Sequence, residues 1–538
     1  MEQYQAIVTR LLEEYAALGF NIDGKKFQVA IGDTQRVTSD FERMFAAFRA
    51  PGQFDALAAL LHLKGKSGIT PDAVRAAAVS GSAQGLQAYY DYAQRVLVFR
   101  DTELAQMVGL EPIIAHELGH AYQDQVQETL TEYMQRDFGS LDARKAAHTV
   151  MEGQAELLNL SVTLMKQRIP LERLDPDISD PTLGRLSGGE ALSVIYQAGR
   201  RFALYRYRAG GFPATANAFS NPPSSSEQVL HPDKLDRDLP QKPSLPALPA
   251  GLEAQVDFDD TFGELSLYSL LTVESPSLDD AFLASTGWDG DRLRVLRFPD
   301  NTYGLMWRLV WDRPQDAQQF AEYLPLWNNR DPRAHVQVKG AVVDVVFAED
   351  DKRRNLLKQA MARNAGRSKP DASDLTSTAD AEGLRLFEIS RRPRVEQDRW
   401  VLQEFGVSVG VPAGFSAQML AGRQILVGEV RPGFGENISA MSEQDFYDGN
   451  LDRYLAVARE ALQKTSQKLL NSQVFTVNGL RVAQLDLEIP AQIPVKVRML
   501  VVPRNGKILS ITWATLAEQW AAREALMVAL RNSLRTND

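Results

Sequence analysis

Not one of the 538 residues is cysteine. That absence removes disulfides, thiolate metal ligands and a cysteine nucleophile together, and it leaves the redox compartment open. No apolar run approaches the roughly 20 residues that a bilayer-crossing helix needs. The opening stretch, MEQYQAIVTRLLEEYAALGF, has the spacing of an amphipathic helix and lacks the apolar centre of a signal peptide. The expectation is a cytoplasmic protein, or a mature secreted or periplasmic form with its signal trimmed. A basic excess is missing too: 59 Lys and Arg face 69 Asp and Glu, a net charge of −10, which argues against a nucleic-acid partner. No GxSxG elbow, P-loop or dinucleotide fingerprint occurs, and Ser187-Gly188-Gly189 alone is too little for a phosphate loop.

What is present is a long chain of ordinary globular composition, 44% hydrophobic and 24% charged, too long for one core and expected to form two to four domains. The first 80 residues carry helical spacing, as in FDALAALLHL. AYYDYAQRVLVFRD (88–101) reads instead as a β-hairpin turning at Asp91-Tyr92-Ala93-Gln94. Three long helices are expected next: one opening near Pro112, one over about 141–168, and one from about 188 that stops on Gly210-Gly211. The run HPDKLDRDLPQKPSLPALPAG (231–251) has the composition of a semi-rigid extended connector, and 364–383 that of a polar linker. Beyond 251 the texture turns to strands and helices. The expected class is therefore α+β: a mainly helical domain over 1–250, an α+β domain over 251–395 and a second over 396–538.

The chemistry sits in HELGH, residues 116–120. Positions i and i+4 lie one above the other on a helix, so His116 and His120 can face one Zn²⁺ while Glu117 stands beside its open position. Glu117 would take a proton from the attacking water and pass it to the leaving amine. The plain alternative is a surface helix with two satisfied histidines. Zinc needs a third protein ligand, and Gln123 and Val126 exclude the HExxHxxGxxH spacing. Glu152 in MEGQAE is the best candidate, with Glu156 one turn later to hydrogen-bond a ligating histidine. His148, one turn before Glu152, is the rival, although His₂Glu suits hydrolytic zinc better.

HELGH with a downstream glutamate resembles the gluzincins, the thermolysin-like zincins. There the ligand glutamate and a supporting acid are separated by three residues on a helix, as in Glu152-Gly-Gln-Ala-Glu156. The chain departs from that family in having Glu for the supporting Asp, in lacking NExxSD and in its longer gap after His120. The resemblance implies a zincin-type fold over the first 235 or so residues. It also implies that an edge strand within 88–100 pairs with an extended substrate. A later histidine donates to the oxyanion in such enzymes, and His231 of SSSEQVLHPDKL looks like its counterpart. That element also resembles a TEQVLHP-type stretch downstream of HExxH in bacterial proteins. Tyr205 and Tyr207 are fallback donors. His62 reads as a core residue, and His335 has no partner motif.

The expected function is zinc-dependent hydrolysis of peptide or protein substrates. The alternatives are a zinc hydrolase of a non-peptide amide, or a non-catalytic binding protein on a zincin scaffold. The segment around GVSVGVPAGFSAQM is faintly similar to PsbP-like α/β domains, which usually bind partners, so a protein partner is expected for the C-terminal domains.

Overall fold

In the first helix, α1 (Glu2–Ala17), Tyr4, Val8, Leu11 and Tyr15 are buried. Their spacing of four, three and four residues is that of a single apolar stripe. This is a computed structural model, and it describes residues 2–48, 52–85, 87–101, 110–126, 129–174, 190–235, 237–272, 281, 283–363 and 394–537, the last without 403–404, 421–422, 432–433, 464–466, 491–492 and 505. Ser187-Gly188-Gly189 and the expected linker 364–383 lie outside the described residues. The class is α+β. Contacts divide the chain into two units: Met1–Arg100 with Ile114–Asn159 and Leu186–Phe387, and Asp101–Ile113 with Leu160–Arg185 and Glu388–Asp538.

The first unit continues with β1 (Gln28–Gly32), α2 (Thr34–Phe48), α3 (Gln53–Leu63) and α4 (Pro71–Gly85), then the hairpin strands β2 (Ala88–Asp91) and β3 (Val96–Arg100). The sheet order is β1-β3-β2, with β1 parallel and β2 antiparallel to β3, so β2 is an edge. Alternating aromatic and β-branched residues suit a strand pair. At the turn, the Asp91 carboxylate accepts from the backbone N–H groups of Ala93 and Gln94 at 3.1 Å each.

Helices α5 (Leu110–Val126), α6 (Leu130–Gln135), α7 (Leu141–Lys166) and α8 (Glu190–Ser220) follow. Gly119 of α5 lies against α7, where an added Cβ would stand 3.0 Å from Ala155 Cα. The expected stop of α8 at Gly210-Gly211 is a kink instead: Gly211 takes φ 67° and helix resumes to Ser220. Glycine tolerates this backbone at no steric cost, and Pro213 then falls in the first turn of the new stretch, where its missing N–H costs nothing.

A short helix, α9 (Ser226–Leu230), precedes the proline-rich run. That run is a strap fixed along the five-stranded sheet, not a free connector. The Arg308 and Arg294 side chains donate to the carbonyls of Ser244 (3.1 Å) and Pro246 (2.6 Å), and Leu245, Leu248 and Leu252 pack on Leu296, Met306 and Met361. The sheet runs β4-β5-β6-β8-β7, from β4 (Gln255–Asp260), β5 (Trp288–Arg297), β6 (Tyr303–Trp311), β7 (Ala334–Lys339) and β8 (Val342–Ala348). α10 (Glu264–Thr272), α11 (Pro314–Trp327) and α12 (Asp351–Arg363) accompany it. Its main core takes in Ala56, Leu60 and Leu63 of α3 together with Trp307, Trp311 and Trp327. Hydrophobic packing therefore runs from before the strap to after it.

In the second unit a seven-stranded antiparallel sheet is built from β12 (Ser416–Leu420), β13 (Arg423–Arg431), β14 (Phe434–Gln444), β15 (Lys468–Val477), β16 (Leu480–Ile489), β17 (Val495–Arg504) and β18 (Lys507–Leu516), in the order β12-β13-β14-β18-β17-β16-β15. A four-stranded sheet is built from β9 (Arg394–Glu396), β10 (Arg399–Leu402), β11 (Val407–Gly410) and β19 (Arg535–Thr536), in the order β19-β11-β10-β9. The final helix, α14 (Trp520–Asn532, after α13, Leu451–Leu462), buries Met527 and Leu530 beside Trp400 and Trp513. Among the described residues no helix is long and apolar enough to cross a membrane.

Candidate metal centre

α5 presents His116, Glu117 and His120 within just over one turn, and α7 presents Glu152. The donor atoms of His116, His120 and Glu152 all lie within 4.8 Å of one another, and all three side chains are buried. His116 Nε2 and His120 Nε2 both meet the same oxygen, Glu152 Oε2, at 3.2 and 3.3 Å. Convergence of two imidazoles and a carboxylate on one point is the arrangement a divalent cation requires.

Each histidine is oriented from behind. His116 Nδ1 lies 2.8 Å from Glu156 Oε2, the supporting bond the spacing anticipated. His120 Nδ1 lies 2.9 Å from Gln123 Oε1, and the Gln123 amide is in turn fixed by Met151 O and Gln154 Oε1. A ring that donates from Nδ1 keeps its Nε2 lone pair for the metal. Tyr15 of α1 holds the same turn of α5 by donating to the Ala115 carbonyl at 2.6 Å.

The electrostatics follow from burial and ion pairing. Burial pushes the Glu117 carboxyl pKa up, against the pull of His120 and His116. Burial also works against charge on His116, but hydrogen bonds to Glu152 and Glu156 outweigh it and hold the pKa well above the ordinary value. Glu152 likewise resists its own desolvation and stays well below the usual carboxylate range, through His120, His116 and His148. Metal binding here would displace protons from the two rings.

Two further residues complete the wall. Tyr90 of β2 donates its backbone N–H to Glu117 Oε2 at 2.8 Å, which brings the edge strand to the metal helix. The hairpin is anchored there by Asp124, which accepts from Tyr90 Oη (3.1 Å) and Arg95 Nε (2.9 Å). Tyr196 of α8 hydrogen-bonds Glu152 through its hydroxyl, and its ring stands edge-on to His116 at 5.5 Å. Nothing in the sequence around Tyr196 singles it out, because its role depends on how two helices cross. His148 contacts Glu152 Oε1 at 3.2 Å, and its side chain is 28% exposed where those of the three donors are 4–10% exposed.

His231 is not among these residues. It is 2% exposed, with Nε2 3.0 Å from Glu264 Oε1, and among the described residues its Nδ1 has no partner. From Ser225 onward the SSSEQVLHP element is a buried polar node. Ser226 binds Asp142 at the start of α7, the Gln228 amide donates to the Asp238 carbonyl at 2.5 Å, and Lys234 reaches Glu227 at 2.7 Å. Glu227, Asp238 and Asp312 form a second acidic group. Lys234 Nζ also bonds Asp312 and stands 3.7 Å from Asp238, so its ammonium is the cation of that group. Tyr205 is 41% exposed, and Tyr207 stacks edge-on with Phe212. His62 bonds Glu349 and Ile69 O, and His335 lies on β7.

A family model described as a domain of unknown function, DUF8575, matches residues 254–359, the segment of the five-stranded sheet. No curated protein matches the chain. Among solved structures the chain is similar to cyanobacterial PsbP (CyanoP) from Synechocystis sp. PCC 6803, at 15% identity, covering 26% of this chain and 91% of that one, with a TM-score of 0.21. It is also similar to PA94 of Pseudomonas aeruginosa, a protein of unknown function (13% identity; 23% and 99% covered; TM-score 0.19). A third is LpqN of Mycobacterium tuberculosis, involved in cell envelope biogenesis (14%; 24% and 81%; 0.21). The family match thus covers the sheet, and the residues of the metal centre fall outside it.

Proposed function

We propose that the protein is a zinc-dependent peptidase with a gluzincin-like site, in which His116, His120 and Glu152 bind the metal and Glu117 is the general base. The observation that carries this reading is the meeting of three buried donors at one point beside Glu117, with both imidazoles oriented by Glu156 and Gln123. The donor set fits zinc, for which two imidazoles and one carboxylate are the usual hydrolytic ligands. A zinc ion held there supplies a Lewis acid and a water whose pKa is lowered to about 7.

The remaining steps belong to the chain. Glu117 takes the proton of the attacking water and returns it to the leaving amine, a task suited to a carboxyl whose pKa burial has raised. Its Oε2 is held by Tyr90 N–H, which leaves Oε1 for the proton. We assign the donation to the developing oxyanion to Tyr196 rather than to His231: its hydroxyl, hydrogen-bonded to Glu152 beside His116, would turn its proton from that carboxylate to the substrate oxygen. The edge strand β2, tied to Glu117 through Tyr90, would pair with an extended peptide.

The test measures zinc by mass spectrometry and cleavage of a peptide library. Wild type and Glu117→Gln are expected to carry near-stoichiometric zinc, with cleavage reduced about 10²- to 10⁴-fold in the variant. A wild type that neither contains nor takes up zinc overturns the proposal. Zinc uptake without cleavage of any peptide would point to a non-peptide amide instead.

A further inference from the structure

The proposal that Glu152 is a metal ligand leaves open what its second oxygen does. Glu152 Oε2 faces both ligand histidines, while Oε1 faces His148 Nε2 at 3.2 Å, one turn earlier on α7. We infer that His148 is a positioning residue: its imidazole holds Oε1, so that Glu152 binds the metal through Oε2 alone. This inference rests on the zinc reading above and deepens it.

Three observations support it. Glu152 is grouped with His116 and His120 as a metal donor, and His148 is outside that group. The other two donors each have an orienting partner on the far side, Glu156 for His116 and Gln123 for His120, and His148 gives Glu152 one at Oε1, beside the hydrogen bond from the Tyr196 hydroxyl. Its exposure of 28%, against 9% for Glu152, places it at the rim. An i,i+4 pair on one helix is also the cheapest way to hold a carboxylate in one rotamer, because the backbone already sets the spacing.

The consequence concerns coordination number. A carboxylate free to swing can offer both oxygens, which raises the count and suits cations larger than zinc. With Oε1 held by His148, the chain supplies three donor atoms and a fourth position stays open for the reaction.

The experiment compares wild type with His148→Ala, His148→Gln and Glu152→Ala. Zinc affinity is read by chelator competition, and the intensity of the visible bands is read after Co²⁺ loading. Four-coordinate Co²⁺ absorbs more strongly than five- or six-coordinate Co²⁺. His148→Ala is expected to keep one zinc per chain, bind it about 10- to 100-fold more weakly and lose band intensity. The Gln variant, whose amide N–H can still reach Oε1, is expected to recover much of both. If His148→Ala loses zinc as completely as Glu152→Ala, His148 is a ligand and the inference fails. It fails equally if affinity and spectrum are unchanged. A wild type that takes up no metal overturns the zinc reading itself, an outcome distinct from either.

Discussion

Gly153 and Gly199 touch backbone to backbone: a Cβ added to Gly153 would stand 2.0 Å from the Gly199 carbonyl oxygen, and one added to Gly199 would stand 2.3 Å from the Thr149 carbonyl oxygen. This crossing sets the separation of α7 and α8. Glu152 precedes one glycine, Tyr196 lies three residues before the other, and their hydrogen bond spans the gap.

Either glycine changed to alanine must therefore push the helices apart. The expected cost is at least the 1–3 kcal/mol of an overpacked core, read by chemical denaturation. Zinc affinity and the fluorescence of a probe at position 196 should change with it. A Gly153→Ala protein as stable as wild type would show that the crossing is looser than drawn.

Glu156 orients His116 without being a ligand. Glu156→Ala should retain zinc but bind it about 10- to 100-fold more weakly. Glu156→Gln, which keeps an acceptor for Nδ1–H, should fall between. Zinc titration against a chelator decides it, and equal affinities in all three would remove Glu156 from the site.

Asp142 provides a pH test. Its carboxyl is raised to about 7, chiefly by burial and further by nearby Asp291, which burial itself raises to about 6. Both values exceed the roughly 3.9 of an unfolded aspartate. The folded state thus holds these protons more tightly, and their contribution to stability is complete below about pH 4 and lost as pH rises through 6 and 7. Urea denaturation between pH 5 and 8 should show declining stability, and Asp142→Asn should flatten the decline. Parallel curves would refute the assignment.

Lys234 neutralises Glu227, which has no exposure at all. Lys234→Met should cost about 3–5 kcal/mol by stranding a buried charge. Adding Glu227→Gln should recover part of that loss, as a double-mutant cycle would measure. If the two losses simply add, the pair does not act as one.

The convergence of His116 and His120 on one face of α5 was legible in the sequence because i,i+4 spacing is a local property, and so was the hairpin, whose alternation and turn residues are contiguous. Glu156 was found for the same reason, one turn from Glu152 on a single helix. Tyr196 was not, since its role comes from the approach of separate helices; Gln123 lies only three residues from His120 on α5, but the contacts that fix its amide, to Met151 and Gln154 of α7, are recorded by no local pattern. His231 was picked out by analogy, and the partner the structure gives it is Glu264. An element in which Ser225, Ser226, Glu227, Gln228, His231 and Lys234 are all buried is a polar node of the interior, and six polar residues around Val229-Leu230 offered no periodicity to reveal that. The strap was legible as extended, through its prolines, but not as docked, because its partners Arg294 and Arg308 lie 48 and 64 residues downstream of the carbonyls they bind.

That strap, and the α3 core on the other face of the same sheet, settle where the polypeptide can be cut. A fragment ending at 250 would keep HELGH and yet strip Leu60 and Leu63 of Trp307 and Trp327, Asp142 of its neighbour Asp291 and His231 of Glu264. A piece of gene meant to express the folded candidate metal centre must therefore run at least through the end of α12 at Arg363, more than a hundred residues beyond the last side chain of the site itself.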